Sequence, residues 1–349
     1  MDTFAQRLKS ARIMNGYSLQ ELADLIDNRI SRQALNKYEH GDFQPDSEMI
    51  SFLADALKVR PDYFFKEMTI ELGEIAFRKL EKFPVKEKNK LIEQVKENLE
   101  RYIELEEIVN AQTPFVNPIQ DMVIENSADA ENAAKQLRIR WNLGEDPIFN
   151  AIELLEDNGI KVITVSVEDG FDGLQTKVQN EYPVIVLNKR SDYPLDRLRF
   201  TAIHELAHLL LIIIGKTDKE SEKLCHRFAA AFLLPETVIR KELGDNRSRL
   251  FINEIGPIKQ QYGISISAIA YRAKDLGIIS ESYFRQFMFY ISQMGYRIHE
   301  PFDYQGYEQS NRFQQLLYRA LAEDYISMSK AASLNKQSLY EFRQKLNQV

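Results

Sequence analysis

The chain has 349 residues, 44% hydrophobic and 28% charged, the balance of a globular protein with room for two or three domains. A net charge of −7 excludes a chain that coats nucleic acid indiscriminately, though not a local reading head. A single cysteine excludes an internal disulfide, no apolar run reaches membrane-spanning length and no leader pattern opens the chain, so we expect a cytoplasmic protein without a membrane partner.

From the N-terminus, Phe4, Leu8, Ala11 and Arg12 recur at helical spacing, and Asn15-Gly16 ends that helix. Ser18 and Glu21 have capping-box spacing and open a short helix with Leu22, Ala23 and Ile26 on its inner side. After Asp27-Asn28-Arg29-Ile30 comes a third helix over residues 31–39, then one over 47–57, then Pro61-Asp62-Tyr63-Phe64. Residues 3–65 resemble the Cro/repressor (XRE) helix-turn-helix. The resemblance implies that residues 31–39 form the recognition helix, with Ala34, Leu35 and Tyr38 packed inward. Arg32, Gln33, Asn36 and Lys37, with Arg29 beside them, would then meet double-stranded operator DNA. The chain departs from the family at Leu19, where a phosphate-contacting Gln is frequent, and at Asp27-Asn28, which replace the usual turn glycine and lengthen the turn. Acids slightly outnumber bases over residues 1–66, so binding would rely on a homodimer.

Residues 69–109 are highly charged and helical in pattern, with Ile92, Val95, Leu99, Tyr102 and Val109 tracing one apolar seam. A solvated linker helix and a dimer-forming seam both fit. Residues 112–126 read as a loop, 128–141 and 146–158 as helices, and 161–165, 171–178 and 184–187 as strands.

A helix follows with His204-Glu205-Leu206-Ala207-His208, an H-E-x-x-H pattern. Two imidazoles four residues apart on a helix stand one above the other and can reach one metal ion. The intervening glutamate is placed to act as base toward the attacking water of a hydrolytic zinc enzyme. The apolar run 209–214 extends this element as a buried helix that stops at Gly215. Thr217 and Glu220 then have capping-box spacing and open a second helix that ends at Pro235. Glu222 lies on its inner stripe with Cys225, His226, Ala229, Ala230 and Leu233, where a carboxylate is costly unless a cation meets it. Glu220 competes as third ligand, but the cap would occupy it.

The pairing of Phe200 to His208 with Glu222-x-x-Cys225-His226 and the run to Pro235 resembles the ImmA/IrrE metallo-endopeptidases, over roughly residues 125–279. The resemblance implies zinc (Zn2+) on His204, His208 and Glu222, with Glu205 as catalytic base. It further implies a repressor-type protein substrate, cleaved in trans or in cis to relieve repression under stress or prophage induction. Cys225 stands where alanine is common and His226 where Asn or Asp is common, so His226 reads as an outer contact, an oxyanion donor or a fourth ligand. Tyr271 and Arg272 read either as stabilisers of the tetrahedral intermediate or as packing and surface charge. We assign no role to His40 or His299.

Helices are expected over 250–262, 265–276, 281–294 and 312–346, and residues 326–342 have a faint helix-turn-helix pattern for which ordinary helix packing is the plainer reading. The expected organisation is mainly α and multidomain: a helix-turn-helix domain at 1–66, a helical linker and loop at 67–124, an α+β gluzincin-like zinc-peptidase domain with a small sheet at 125–295, and a helical C-terminal region at 296–349. The function expected is a regulator that couples DNA binding to proteolysis. The alternatives are a non-proteolytic regulator or antitoxin whose zinc fold senses or binds a toxin-type partner, and a recognition helix that contacts protein rather than DNA.

Overall fold

The structure, a computed structural model, describes residues 2–67, 70–73, 83–167, 171–178, 182–190 and 193–347; part of the expected linker, at 68–69 and 74–82, lies outside them. The chain is multidomain and mainly α, and it divides into two compact units. The first comprises residues 1–112 and 311–349, the second residues 113–310.

Among its described residues the first unit is built from helices. Its N-terminal part contains α1 (Thr3–Met14), α2 (Leu19–Leu25), α3 (Arg32–His40), α4 (Ser47–Leu57) and a 3-10 turn (Pro61–Phe65). Phe4, Leu8, Leu22, Ala23, Leu35, Leu53, Leu57 and Phe64 close its core. The capping box at Ser18 and Glu21 is present, and Ser31 caps α3 by accepting from the amide of Ala34. The α2–α3 turn is long because Asp27 and Asn28 both adopt left-handed backbone (φ 55° and 52°), which short polar side chains tolerate best after glycine.

The apolar seam anticipated at residues 92–109 belongs to α5 (Val85–Ile108) and is buried, but it is neither solvated nor left open for a second copy. Within the same unit α5 packs on α1 and on α14 (Arg312–Ala322). Arg7 of α1 reaches Glu100 of α5 at 2.7 Å with both side chains buried, a pairing that gains little net stability but fixes how the helices dock. After α14 come α15 (Met328–Leu334) and α16 (Leu339–Leu346).

The second unit is α+β. Its helices begin with α6 (Ser127–Arg140) and α7 (Ala151–Asp157). The latter is shorter than the stretch 146–158 suggested, because Pro147 disfavours helix at the preceding residue and Asn150 caps from outside, accepting from the Glu153 amide. A three-stranded sheet has the order β2 (Lys161–Val165), β4 (Tyr182–Asn188), β3 (Gly173–Val178), with β2–β4 parallel and β3–β4 antiparallel. The central β4 is apolar and buried almost throughout, as a strand covered on both faces must be. Against it packs α8 (Leu195–Leu210), buried on nearly every side and followed by α9 (Asp218–Leu233).

The apolar run after α8 is not helix. The backbone leaves the helix at Leu211, and Ile212–Ile213 form β5, paired parallel with β1 (Val123–Ile124). Consecutive β-branched residues favour extended backbone, and Ile212 and Ile214 are exposed rather than buried. The unit continues with α10 (Glu236–Leu243), α11 (Ile252–Tyr262), α12 (Ile266–Asp275) and α13 (Glu281–Gln293). Residues 296–310, expected with the C-terminal helices, instead run across this unit. Glu300 accepts from the first amides of α12, and Glu308 accepts from the Ala151 amide at 2.8 Å and pairs with buried Arg199 of α8 at 2.9 Å. Among the described residues no helix is long and apolar enough to cross a membrane.

Candidate metal centre and reading head

Two successive helices, α8 and α9, set the centre. Asp196 lies in the first turn of α8, where a carboxylate opposes the helix dipole, and the Thr217–Glu220 capping box starts α9. Glu220 is held in that box at the Thr217 amide and hydroxyl, while Glu222 faces α8. Nε2 of His204 is 3.0 Å and Nε2 of His208 3.3 Å from the Glu222 carboxylate, and the two Nε2 atoms are 3.2 Å apart.

Hydrogen bonds from His204 and then His208 hold the Glu222 carboxyl well below the usual carboxylate range, against the effect of its partial burial. Two imidazole lone pairs and a carboxylate crowded together are tolerable only around a proton or a cation. The donor set of two nitrogens and one oxygen suits zinc. The residues present therefore fit such an ion.

His226, one turn along α9 from Glu222, stacks on His204 at 4.3 Å between ring centres and on Phe200 at 5.9 Å. One ligand atom each from His204, Glu222 and His226 lie within 4.8 Å of one another. Burial, then the neighbouring His204, pushes the His226 imidazole down to about 4. On the other side, the buried Cys225 brings Sγ to 3.6 Å from Nδ1 of His208. Nδ1 of His204 is buried with no hydrogen-bond partner.

Glu205 is buried on α8 next to His204. Strand β3 presses closely there: a Cβ on Gly173 would fall 2.6 Å from Thr201 Cγ2 and 3.1 Å from Glu205 Cγ. Only a residue without a side chain permits this approach, a constraint between segments distant in sequence that no local pattern announces.

Tyr271 and Arg272 are engaged elsewhere. Arg272 is buried, its guanidinium on Glu131 at 3.0 Å and on the Leu234 carbonyl, and Tyr271 packs edge-on to Phe284 at 4.6 Å. Of the readings open to them, packing describes these contacts.

In the first unit, Arg32, Gln33, Asn36 and Lys37 are all exposed on α3, whereas Leu35 is buried and Ala34 and Tyr38 are half-buried. Arg29 is also exposed, its guanidinium 3.8 Å from the centre of the Phe52 ring, and Lys37 lies over the exposed Phe43. Glu39, on the inner face of the same helix, is buried and bound in bidentate fashion by Arg12 of α1 at 2.6 and 2.7 Å.

Comparison with known proteins agrees with both halves. Residues 8–64 match the helix-turn-helix family, and residues 155–274 match the peptidase family M78, described as the IrrE N-terminal-like domain. Over 63 residues, 18% of the chain, the sequence is 40% identical to the SPbeta prophage-derived uncharacterized HTH-type transcriptional regulator YonR of Bacillus subtilis (strain 168). The chain spans about half the length of that relative, 56%. With the exposed face of α3 in one unit and the histidine pair of α8 in the other, the chain joins a region that matches the helix-turn-helix family, at 8–64, to one that matches the IrrE N-terminal-like domain of peptidase family M78, at 155–274.

Proposed function

We propose that this chain is a DNA-binding transcriptional regulator whose second domain is a zinc-dependent endopeptidase acting on a repressor-type protein. The observation that carries the proteolytic half is the convergence of His204 and His208 Nε2 on the Glu222 carboxylate. In this reading His204, His208 and Glu222 hold the metal. Zinc, when bound, supplies the positive charge that activates water and polarises a scissile carbonyl. Glu205 takes the proton from the attacking water and hands it to the leaving amine. The DNA-binding half is supported by the exposed Arg32, Gln33, Asn36 and Lys37 on α3, side chains suited to base edges and phosphates.

The test is incubation of the zinc-loaded full chain with itself and with purified repressor-type proteins, beside Glu205→Gln. Fragments from the wild type alone are expected. Equal yields from both would end the proteolytic reading.

One observation favours a second reading. His226 offers a ligand atom in the same cluster as His204 and Glu222, and a fourth protein ligand would leave no open position for water. The domain would then sense metal or bind a toxin-type partner without cutting. About one zinc per chain with no turnover on any substrate, and an open site regained in His226→Asn, would identify that case.

A further inference from the structure

The C-terminal helices of the first unit repeat the layout of its reading head. In the head, Ser18 caps a seven-residue helix, Ala23 is buried, Asp27 turns the chain in left-handed backbone, Ser31 caps the next helix and Leu35 is buried on it. At the C-terminus, Ser327 caps the seven-residue α15, Ala332 is buried, Lys336 turns the chain with φ 54°, Ser338 caps α16 and Phe342 is buried on it. The step from buried alanine to left-handed residue is the same in both, from 23 to 27 and from 332 to 336. The C-terminal turn is shorter, because Ser338 lies two positions after Lys336, whereas Ser31 lies four after Asp27. Residues 335–338 join the two helices, a four-residue connection of the length that a helix-turn-helix uses.

A third helix supports each pair. For α15 and α16 it is α14, with buried Leu316, Leu317 and Ala320 and with Tyr318 stacked on Phe342 at 6.2 Å. That group is braced: Arg60 donates to the Ser329 hydroxyl at 2.8 Å, and Lys330 and Lys66 share Glu104 of α5. The outward face of α16 is different in kind. Tyr340 is 73% exposed, and Arg343, Gln344 and Lys345 are all exposed. The one acid on the helix, Glu341, is taken up in the Ser338 cap at 2.8 Å. In a chain of net charge −7 the exposed side of α16 is basic and polar, with Arg343 and Lys345 flanking Gln344 around it, a single aromatic ring and no apolar stripe to receive a partner helix.

We propose that α15 and α16 form a second helix-turn-helix and that α16 enters the major groove of duplex DNA. Arg343 and Gln344 are suited to base edges and Lys345 to a phosphate. An eight-residue helix is about 12 Å long, enough for its first two turns to lie in a groove of that width. This head is independent of α3, so a single chain carries two DNA-reading helices on one unit.

The experiment measures full-chain affinity for a pool of random-sequence duplexes by fluorescence anisotropy across a salt series. Wild type is compared with Arg32→Ala/Lys37→Ala, with Arg343→Ala/Lys345→Ala, with all four changes, and with Arg285→Ala/Lys219→Ala. The last pair removes the same charge from exposed positions of the second unit. The Arg343 and Lys345 changes are expected to weaken binding at least several-fold and to lower the salt slope by roughly one per lost phosphate contact, in both backgrounds. Unchanged thermal midpoints would show that the fold survives these exposed substitutions. No effect of the Arg343 and Lys345 pair overturns the second head, and leaves the α3 reading standing if the Arg32 and Lys37 pair abolishes binding. An equal effect from the Arg285 and Lys219 pair overturns it too, because bulk charge alone would then account for the loss. No binding by the wild type overturns both heads.

Discussion

The thiol of Cys225 stands 3.6 Å from Nδ1 of His208, on the side of the ring opposite the Glu222 carboxylate. For Nε2 of His208 to offer its lone pair to a metal, the ring proton must sit on Nδ1, which makes the cysteine sulfur its acceptor. Sulfur is a weak acceptor, but such outer contacts still orient a ligand and set its tautomer. Cys225→Ala is therefore expected to weaken zinc binding by about ten-fold or more, whereas Cys225→Ser retains most of it. Competition with a chromophoric chelator measures both. Unchanged affinity in the alanine variant would remove the thiol from this role.

Gly173 marks where β3 meets α8. An added methyl collides with Thr201 and crowds Glu205, so either the strand or the helix must move. Overpacking of this kind costs about 1–3 kcal/mol, and here the displaced side chain is the proposed base. Gly173→Ala should lower the thermal midpoint by a few degrees and cut peptidase turnover far more than it changes zinc content. Loss of zinc in step with turnover would instead indicate general unfolding of the centre.

How much of this is readable from sequence depends on the range of the interaction. His204, His208 and Glu222 are legible because helical spacing and capping boxes act within a few residues, and they place side chains on faces before any packing is known. The same holds for Ser31 and the exposed face of α3. The run 209–214 misleads because apolar content says buried but not helical; the isoleucines at 212 and 213 pair with β1, about ninety residues earlier in the chain. The seam on α5 is visible as a seam, but what covers it is a matter of topology: α14 arrives from the far end of the sequence. Arg272 is similar. Its charge suggests chemistry, yet the partner that occupies it, Glu131, is set by the packing of α6.

That Glu131 cluster gives the second unit an acid sensitivity of predictable sign. Burial alone would raise the Glu131 carboxyl, but Arg272 and then Arg227 outweigh it and hold it below the ordinary glutamate value. A carboxyl depressed in the folded state contributes stability that is fully present above the unfolded value, about 4.3, and is lost as pH falls through the folded one. Glu131→Gln leaves Arg272 buried without its ion pair and should cost on the order of 3 kcal/mol at neutral pH. The gap between variant and wild type should close below about pH 4. Thermal midpoints of both proteins across that range are the measurement, and a gap that stays constant would mean that the carboxylate charge is not what holds the arginines.

The proposed reading helix α3 divides its residues between the core and solvent. Glu39 faces inward and binds Arg12 twice, while Arg32 and Lys37 face outward. Removing one partner of a buried bidentate pair leaves the other charge stranded, so Glu39→Ala should destabilise the first unit by about 3 kcal/mol. Arg32→Ala with Lys37→Ala should stay within about 0.5 kcal/mol of wild type, because both side chains already face solvent. Their effect belongs in DNA affinity, with a loss of about 1–3 kcal/mol for a base-edge contact and a shallower salt dependence for a phosphate contact. Thermal unfolding and anisotropy on the same preparations would resolve the two classes. If the outward pair lost stability and kept affinity, α3 would be a structural helix, and the DNA-reading role would pass to another face of the unit.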